Sequence, residues 1–244
     1  MPTVVAVSPH LDDAAFSAGG ALAWMAGQGW NVIVATVFSA TVPDPEGFAL
    51  RCQTDKGLKP DADYMAIRRA EDLAAGEALG VRMMHLPLPE APHRGYADAA
   101  ALFGSLRPDD TPAPVAELLR GLLADWRPHL ILAPQAVGGH VDHVLVVQAL
   151  RQVTPEVPVG WWADFPYTQR ADTPARPFAE TFARLPEHAL PGDPRRKHQA
   201  CLAYGTQLGF QFGGPEGLAK ALAEAGGPER VRLQGTAPWL PLSA

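Results

Sequence analysis

The chain alternates short apolar runs with longer amphipathic stretches. Residues 3–8 (TVVAVS) are apolar and rich in β-branched side chains, which predicts a strand buried on both faces. Residues 12–28 carry small and apolar side chains at helical spacing and close on Gly27 and Gly29, predicting a helix. Further buried strands are expected at 31–39, 82–88, 129–134 and 157–164. Between them, 62–79, 111–126 and 141–153 read as helices, the first stopped by Gly80 and the second opened by Thr111-Pro112. Two stretches punctuated by Pro and Gly, 41–61 and 89–110, predict long loops. Beyond Pro166 the pattern is less regular: 178–185 reads as a strand, 193–207 and 217–225 as helices, and 231–233 as a short strand.

Strands that alternate with helices imply βαβ units and a mostly parallel sheet with helices on both faces, a Rossmann-like three-layer α/β sandwich. With no internal repeat and no linker, residues 1–244 read as one domain, with a core over about 3–165 and a C-terminal extension over about 166–244. In such sheets a ligand site lies beyond the carboxyl ends of the strands.

Composition narrows the function. The 244 residues are 47% hydrophobic and 19% charged, which excludes a disordered chain. The formal charge of −6 and the lack of basic runs argue against nucleic-acid binding. No apolar stretch approaches the ~20 residues of a membrane span. The first residues, MPTVVAVSPHLDD, have no basic segment before the apolar run, so no signal peptide is read there and the cytoplasm is the expected address. Cys52 and Cys201 are too far apart for a Cys-x-x-Cys pair, which leaves no Cys-based zinc site.

Two constellations carry candidate chemistry. Ser8-Pro9-His10-Leu11-Asp12-Asp13 stands at the end of the first strand and the start of the next helix. His10 and Asp13, at i and i+3 around a turn, can converge on one metal, while Asp12 points toward a water on that metal. A helix N-terminus keeps both carboxylates ionised. The plainer reading is that Asp12 merely caps the helix. Gly138-Gly139-His140-Val141-Asp142-His143 stands at the end of the fourth strand. If that strand neighbours the first, His140 or His143 reaches the same point as His10 and Asp13. Two histidines, one aspartate and open positions describe a catalytic metal site, suited to Zn²⁺ and also to Fe²⁺. The plainer reading is a solvated loop capped by Asp142.

SPHLDDAAFSAGG followed by GGHVDH resembles the PIG-L/LmbE family of metal-dependent N-acetylglucosaminyl de-N-acetylases. Arg68-Arg69-Ala70-Glu71 fits that family's R-x-x-E helix, and KHQACLAYGTQ at 197–207 is similar to a further family segment, so the likeness spans about 3–210. The resemblance implies that His10, Asp13 and His143 hold the metal and that Asp12 is the general base. It implies that His140 polarises the acyl oxygen and protonates the leaving amine, and that Arg68 contacts the substrate. Leu11, Ala14 and Thr206 stand where the family has Pro, Glu and Ser, and His129 where an Asp is common. The implied reaction is zinc-dependent removal of an acetyl group from an N-acetylglucosamine-type sugar or glycoside, a small-molecule substrate. An amidase acting on a thiol-sugar conjugate or another small acylated amine is the alternative within enzymes; a non-catalytic sugar- or nucleotide-binding module is the alternative outside them.

Other residues have ordinary readings. Arg68 and Arg69, read from spacing alone, are solvated helix charges, with Glu71 and Asp72 as i+3 partners. Lys197, His85, His93, His188 and His198 read as structural or surface groups. Trp161 and Trp162 read first as core; as exposed aromatics they would wall a sugar pocket or permit a homo-oligomer interface. Gly213-Gly214-Pro215-Glu216-Gly217 lacks the Lys-Ser/Thr of a phosphate loop and reads as a turn before a helix.

Overall fold

The computed structural model of the chain describes residues 1–153, 156–170, 175–238 and 240–241. Its strands are β1 (Thr3–Ser8), β2 (Asn31–Thr36), β3 (Arg82–His85), β4 (Leu130–Pro134), β5 (Val159–Trp162), β6 (Glu187–Ala189) and β7 (Arg230–Gln234). The helices are α1 (Asp13–Gly27), α2 (Gly47–Thr54), α3 (Tyr64–Leu79), α4 (Ala99–Leu102), α5 (Ala113–Trp126), α6 (Val141–Val153), α7 (Ala179–Ala183), α8 (Pro194–Leu202), α9 (Gly205–Phe212) and α10 (Pro215–Ala225).

The sheet runs β3-β2-β1-β4-β5-β7-β6. The first five strands pair in parallel, β7 runs antiparallel to β5, and β6 antiparallel to β7. Strand alternation divides the core. Val5, Val7, Ile33, Ala35, Ile131 and Ala133 pack beneath Leu119 of α5 and Leu145 of α6. Val4, Ala6, Val32, Val34, Leu130 and Leu132 pack beneath Ala14, Ala18 and Leu22 of α1. Helices therefore cover both faces, as the apolar strands require.

β1 and β4 are neighbours, with Val4 opposite Leu130 and Ala6 opposite Leu132. The connection from β1 leads out to β2 and the one from β4 to β5, so the order reverses there and a crevice opens beyond their carboxyl ends. Both motif segments enter that crevice.

Five expectations change. The loop over 89–110 contains the 3₁₀ turn Ala91–Arg94 and α4. The stretch 178–185 holds a helix, α7 (Ala179–Ala183), rather than a strand: Phe178 and Phe182 are four apart and pack ring against ring at 6.1 Å. The expected helix over 193–207 breaks at Ala203–Tyr204, where the Tyr204 hydroxyl turns inward to donate to Asp72 Oδ1 at 2.7 Å. The loop over 41–61 contains α2, held by the Gln53 amide donating to the carbonyls of Pro60 and Ala62 at 3.1 and 3.0 Å. Trp161 and Trp162 are buried on opposite faces of β5 and present no aromatic surface.

Candidate active site

The turn after β1 is shaped by Ser8, whose hydroxyl donates to the His10 carbonyl at 2.7 Å and accepts the Ala14 N–H at 3.0 Å. Asp13 accepts the His10 N–H at 2.8 Å. Asp12 makes no capping hydrogen bond to α1, so the plainer reading of it as a helix cap does not hold. Its buried carboxylate lines a cavity of about 310 Å³ together with His10, Asp13, Arg68 and His140. After β4, Gly138 takes φ +98°, and a Cβ there would stand 2.9 Å from the Tyr167 ring, so the close turn needs glycine.

Each ligand-type histidine has a carboxylate behind it. His10 Nε2 lies 2.7 Å from Asp142 Oδ2, and His143 Nδ1 lies 2.7 Å from Asp164 Oδ1. Carboxylates accept, so in the neutral rings these nitrogens donate and the opposite ring nitrogens carry the lone pairs. Those nitrogens converge: His10 Nδ1 is 3.3 Å and His143 Nε2 3.2 Å from Asp13 Oδ2. His143 Nε2 is buried and, among the described residues, has no hydrogen-bond partner. Donors at ~2.0–2.1 Å from one tetrahedral ion stand about 3.3 Å apart. The spacing, the orphaned nitrogen and the carboxylate–histidine pairs all fit a divalent metal. The ligand atoms of His10, His140 and His143 also all lie within 4.8 Å of one another.

Charge supports the same reading. Asp12, Asp13, Asp142, Asp164 and Glu90 crowd the site against the cations Arg68 and Arg94. Buried ions cost several kcal/mol each unless compensated. Asp142 is held well below the usual carboxylate range, because hydrogen bonding and charge from His10, with Arg94, outweigh its burial. Among the described residues Asp12 has Arg68 Nη2 at 3.7 Å as its one ion-pair partner, and burial together with Asp13 pushes its carboxyl up to about 7. Burial and the adjacent His10 press His140 down to about 3, a neutral ring. The Asp142 N–H donates to His140 Nδ1 at 3.2 Å, which places the ring proton on Nε2.

Arg68 is buried rather than solvated: it lies over the Tyr64 ring, pairs with Glu90 and reaches toward Asp12. Arg69 turns away to the Ser39 carbonyl and the Thr41 hydroxyl. Glu71 accepts both the N–H and the hydroxyl of Thr206 at 2.7 Å, which joins the two supporting motifs at the start of α9. Lys197 pairs with Glu229 at 2.7 Å. His85, His93, His188 and His198 do not line this cavity. Leu11 packs with Tyr64 and Met65, and Ala14 lies in the apolar layer under α1. Sequence reasoning missed Asp164, Glu90 and Arg94, and gave Asp142 no role beyond the plainer alternative of a loop cap. Asp142 stands inside the second motif, whereas the other three carry no local signal.

Residues 5–154 match the family described as PIG-L: GlcNAc-PI de-N-acetylase. The chain is 29% identical to 2'-N-acetylparomamine deacetylase of Streptomyces fradiae over 95% of its own length and 89% of that protein's. It is 31% identical to a 1D-myo-inositol 2-acetamido-2-deoxy-alpha-D-glucopyranoside deacetylase of Corynebacterium glutamicum, over 65% of this chain and 54% of that one. It superposes on the zinc-inhibited form of teicoplanin deacetylase Orf2 with a TM-score of 0.77 at 27% identity, covering 97% and 99% of the two chains. No helix among the described residues is long and apolar enough to cross a membrane.

Proposed function

Because the chain belongs to the PIG-L family of de-N-acetylases, we propose that it hydrolyses the acetamide of an N-acetylglucosamine-type glycoside, with His10, Asp13 and His143 holding a zinc ion or, second, iron(II). The observation that carries this is the convergence of His10 Nδ1 and His143 Nε2 on Asp13 Oδ2 beside an uncapped, buried Asp12. When bound, the ion supplies Lewis acidity toward an acyl oxygen and makes water a stronger acid.

Asp12 takes the proton of the attacking water, and its upward shift to about 7 suits it both to accept that proton and to return it near neutral pH. His140 donates a hydrogen bond from Nε2–H to the oxygen on which charge develops. A neutral imidazole has no spare acidic proton, so the proton held on Asp12, rather than one from His140, goes to the departing amine. The C–N bond breaks and the amine leaves with that proton; the acetic acid left behind gives its remaining proton to the freed Asp12 carboxylate, and from there to solvent, and departs as acetate. Arg68, fixed by Glu90 and Tyr64, faces the cavity where sugar hydroxyls would lie.

The test supplies purified protein with zinc or iron(II) and follows free amine and acetate from 2'-N-acetylparomamine and from an aryl N-acetylglucosaminide. Equal yields of both products are expected, and Asp12→Asn should keep the metal while losing about 10²–10⁴-fold in rate. No amine from any N-acetylglucosaminide, with metal bound, would overturn the proposal and favour another acylated amine or a binding module.

A further inference from the structure

One side chain ties the connection between β3 and α5 to the metal centre. Arg94 ends the 3₁₀ turn Ala91–Arg94. Its Nη2 donates to Asp142 Oδ1 at 2.6 Å and to Asp110 Oδ2 at 2.9 Å, and its Nη1 to the Pro89 carbonyl at 2.6 Å. Its Nε donates to Asp110 at 3.2 Å, and the guanidinium lies 4.7 Å over the Phe38 ring. The second oxygen of Asp142 takes His10 Nε2 at 2.7 Å and the Ala91 N–H at 3.1 Å. A single fully buried carboxylate is thus shared between a histidine of the site and both backbone and side chain of this loop.

We propose that Arg94, backed by Asp110, is a positioning residue for His10, and that it couples placement of residues 89–103 to metal binding. This rests on His10 being a metal ligand. Without Arg94, Asp142 Oδ1 loses its donor and the carboxylate can turn away from His10, whose Nδ1 then loses its aim. The planar fork serves Asp142, Asp110 and Pro89 at once, which an ammonium group cannot do from one point. The same loop carries Glu90, paired with Arg68, and Phe103, whose ring stands edge-on to His140 at 5.3 Å. A loop that seats the metal ligand therefore also walls the substrate cavity. Coupling between two sites is reciprocal, so metal must order the loop to the extent that the loop orders the metal site.

Zinc titration against a competing chelator, with amide hydrogen exchange of the full chain, tests this. Arg94→Met should lower zinc affinity about 10–100-fold, the range seen when groups behind metal ligands are removed. In the wild type, zinc should slow exchange across 89–103, and in Arg94→Met that response should vanish; Arg94→Lys should restore little of either. A merely structural role would lower the melting temperature and leave the zinc response of the loop intact. If Arg94→Met does not fold, Asp110→Asn decides: a several-fold loss of zinc affinity is expected, and none overturns the proposal. Zinc affinity within twofold of wild type in Arg94→Met, with His143→Ala losing zinc, refutes the role of Arg94 alone. Retention of zinc by His143→Ala instead refutes the underlying metal site.

Discussion

Asparagine in place of Asp164 isolates the carboxylate behind His143 with almost no change in shape. Asp164 Oδ1 accepts His143 Nδ1–H at 2.7 Å, and Oδ2 accepts the Val137 N–H at 2.9 Å. Both neighbours must donate: a backbone amide has no other option, and His143 keeps its Nε2 lone pair only while the proton is on Nδ1. Asparagine offers one oxygen and one NH₂ to these two donors. With the oxygen on Val137, the NH₂ meets Nδ1, the ring shifts to the Nε2–H tautomer, and the nitrogen 3.2 Å from Asp13 Oδ2 is closed to metal. With the oxygen on His143, the NH₂ faces the Val137 N–H, an unmet buried donor costing about 1–3 kcal/mol. Either way the metal-bound form is penalised. The expected loss is about 10–100-fold in zinc affinity, about 1.4–2.8 kcal/mol. Calorimetric titration of zinc into metal-free protein reads the affinity, and a thermal melt of the same sample checks that the fold is intact. Zinc binding within twofold of wild type in Asp164→Asn, with an unchanged melt, would show that Asp164 does not set the His143 tautomer.

Two further expectations follow from the same geometry. His140→Gln should lose about 10²–10³-fold in turnover with zinc affinity unchanged; loss of zinc in that variant would instead place the ion among His10, His140 and His143. Zinc affinity should also depend on pH. Burial alone would lower the His143 pKa, but Asp13 and Asp164 outweigh it and raise it to about 9. Metal needs the neutral ring, so below pH 9 each unit of acidification should weaken binding at least about tenfold. His10, also raised because Asp13 and Asp142 overcome its burial, steepens that slope. A flat profile between pH 6 and 8 would sink this account.

Much of the centre was legible because its parts are contiguous in the chain. His10, Asp12 and Asp13 share one turn, His140 and His143 another, and both turns follow β-rich apolar runs that could only be buried strands. The side chains that tune the centre were not legible. Asp164 follows β5, Arg94 lies in a Pro- and Gly-punctuated loop, and Arg68 looks like any helix charge until Glu90, 22 positions on, meets it.

By itself, then, the sequence determined the alternation of strands and helices, the mostly parallel α/β class and the two donor turns, because each follows from periodicity or chemistry within a few residues. Tertiary structure decided that β4 lies beside β1, which brings His10 within 2.7 Å of Asp142 across 132 positions. It also made 179–183 a helix, broke 193–207 at an inward Tyr204, and chose Arg68 over Arg69 to face the cavity. The physical reason is one of range. Hydrophobic period and turn chemistry act over neighbouring residues. Burial, charge compensation and the tautomer of a histidine depend on whichever groups the finished fold places within about 3 Å, and no local pattern encodes that choice.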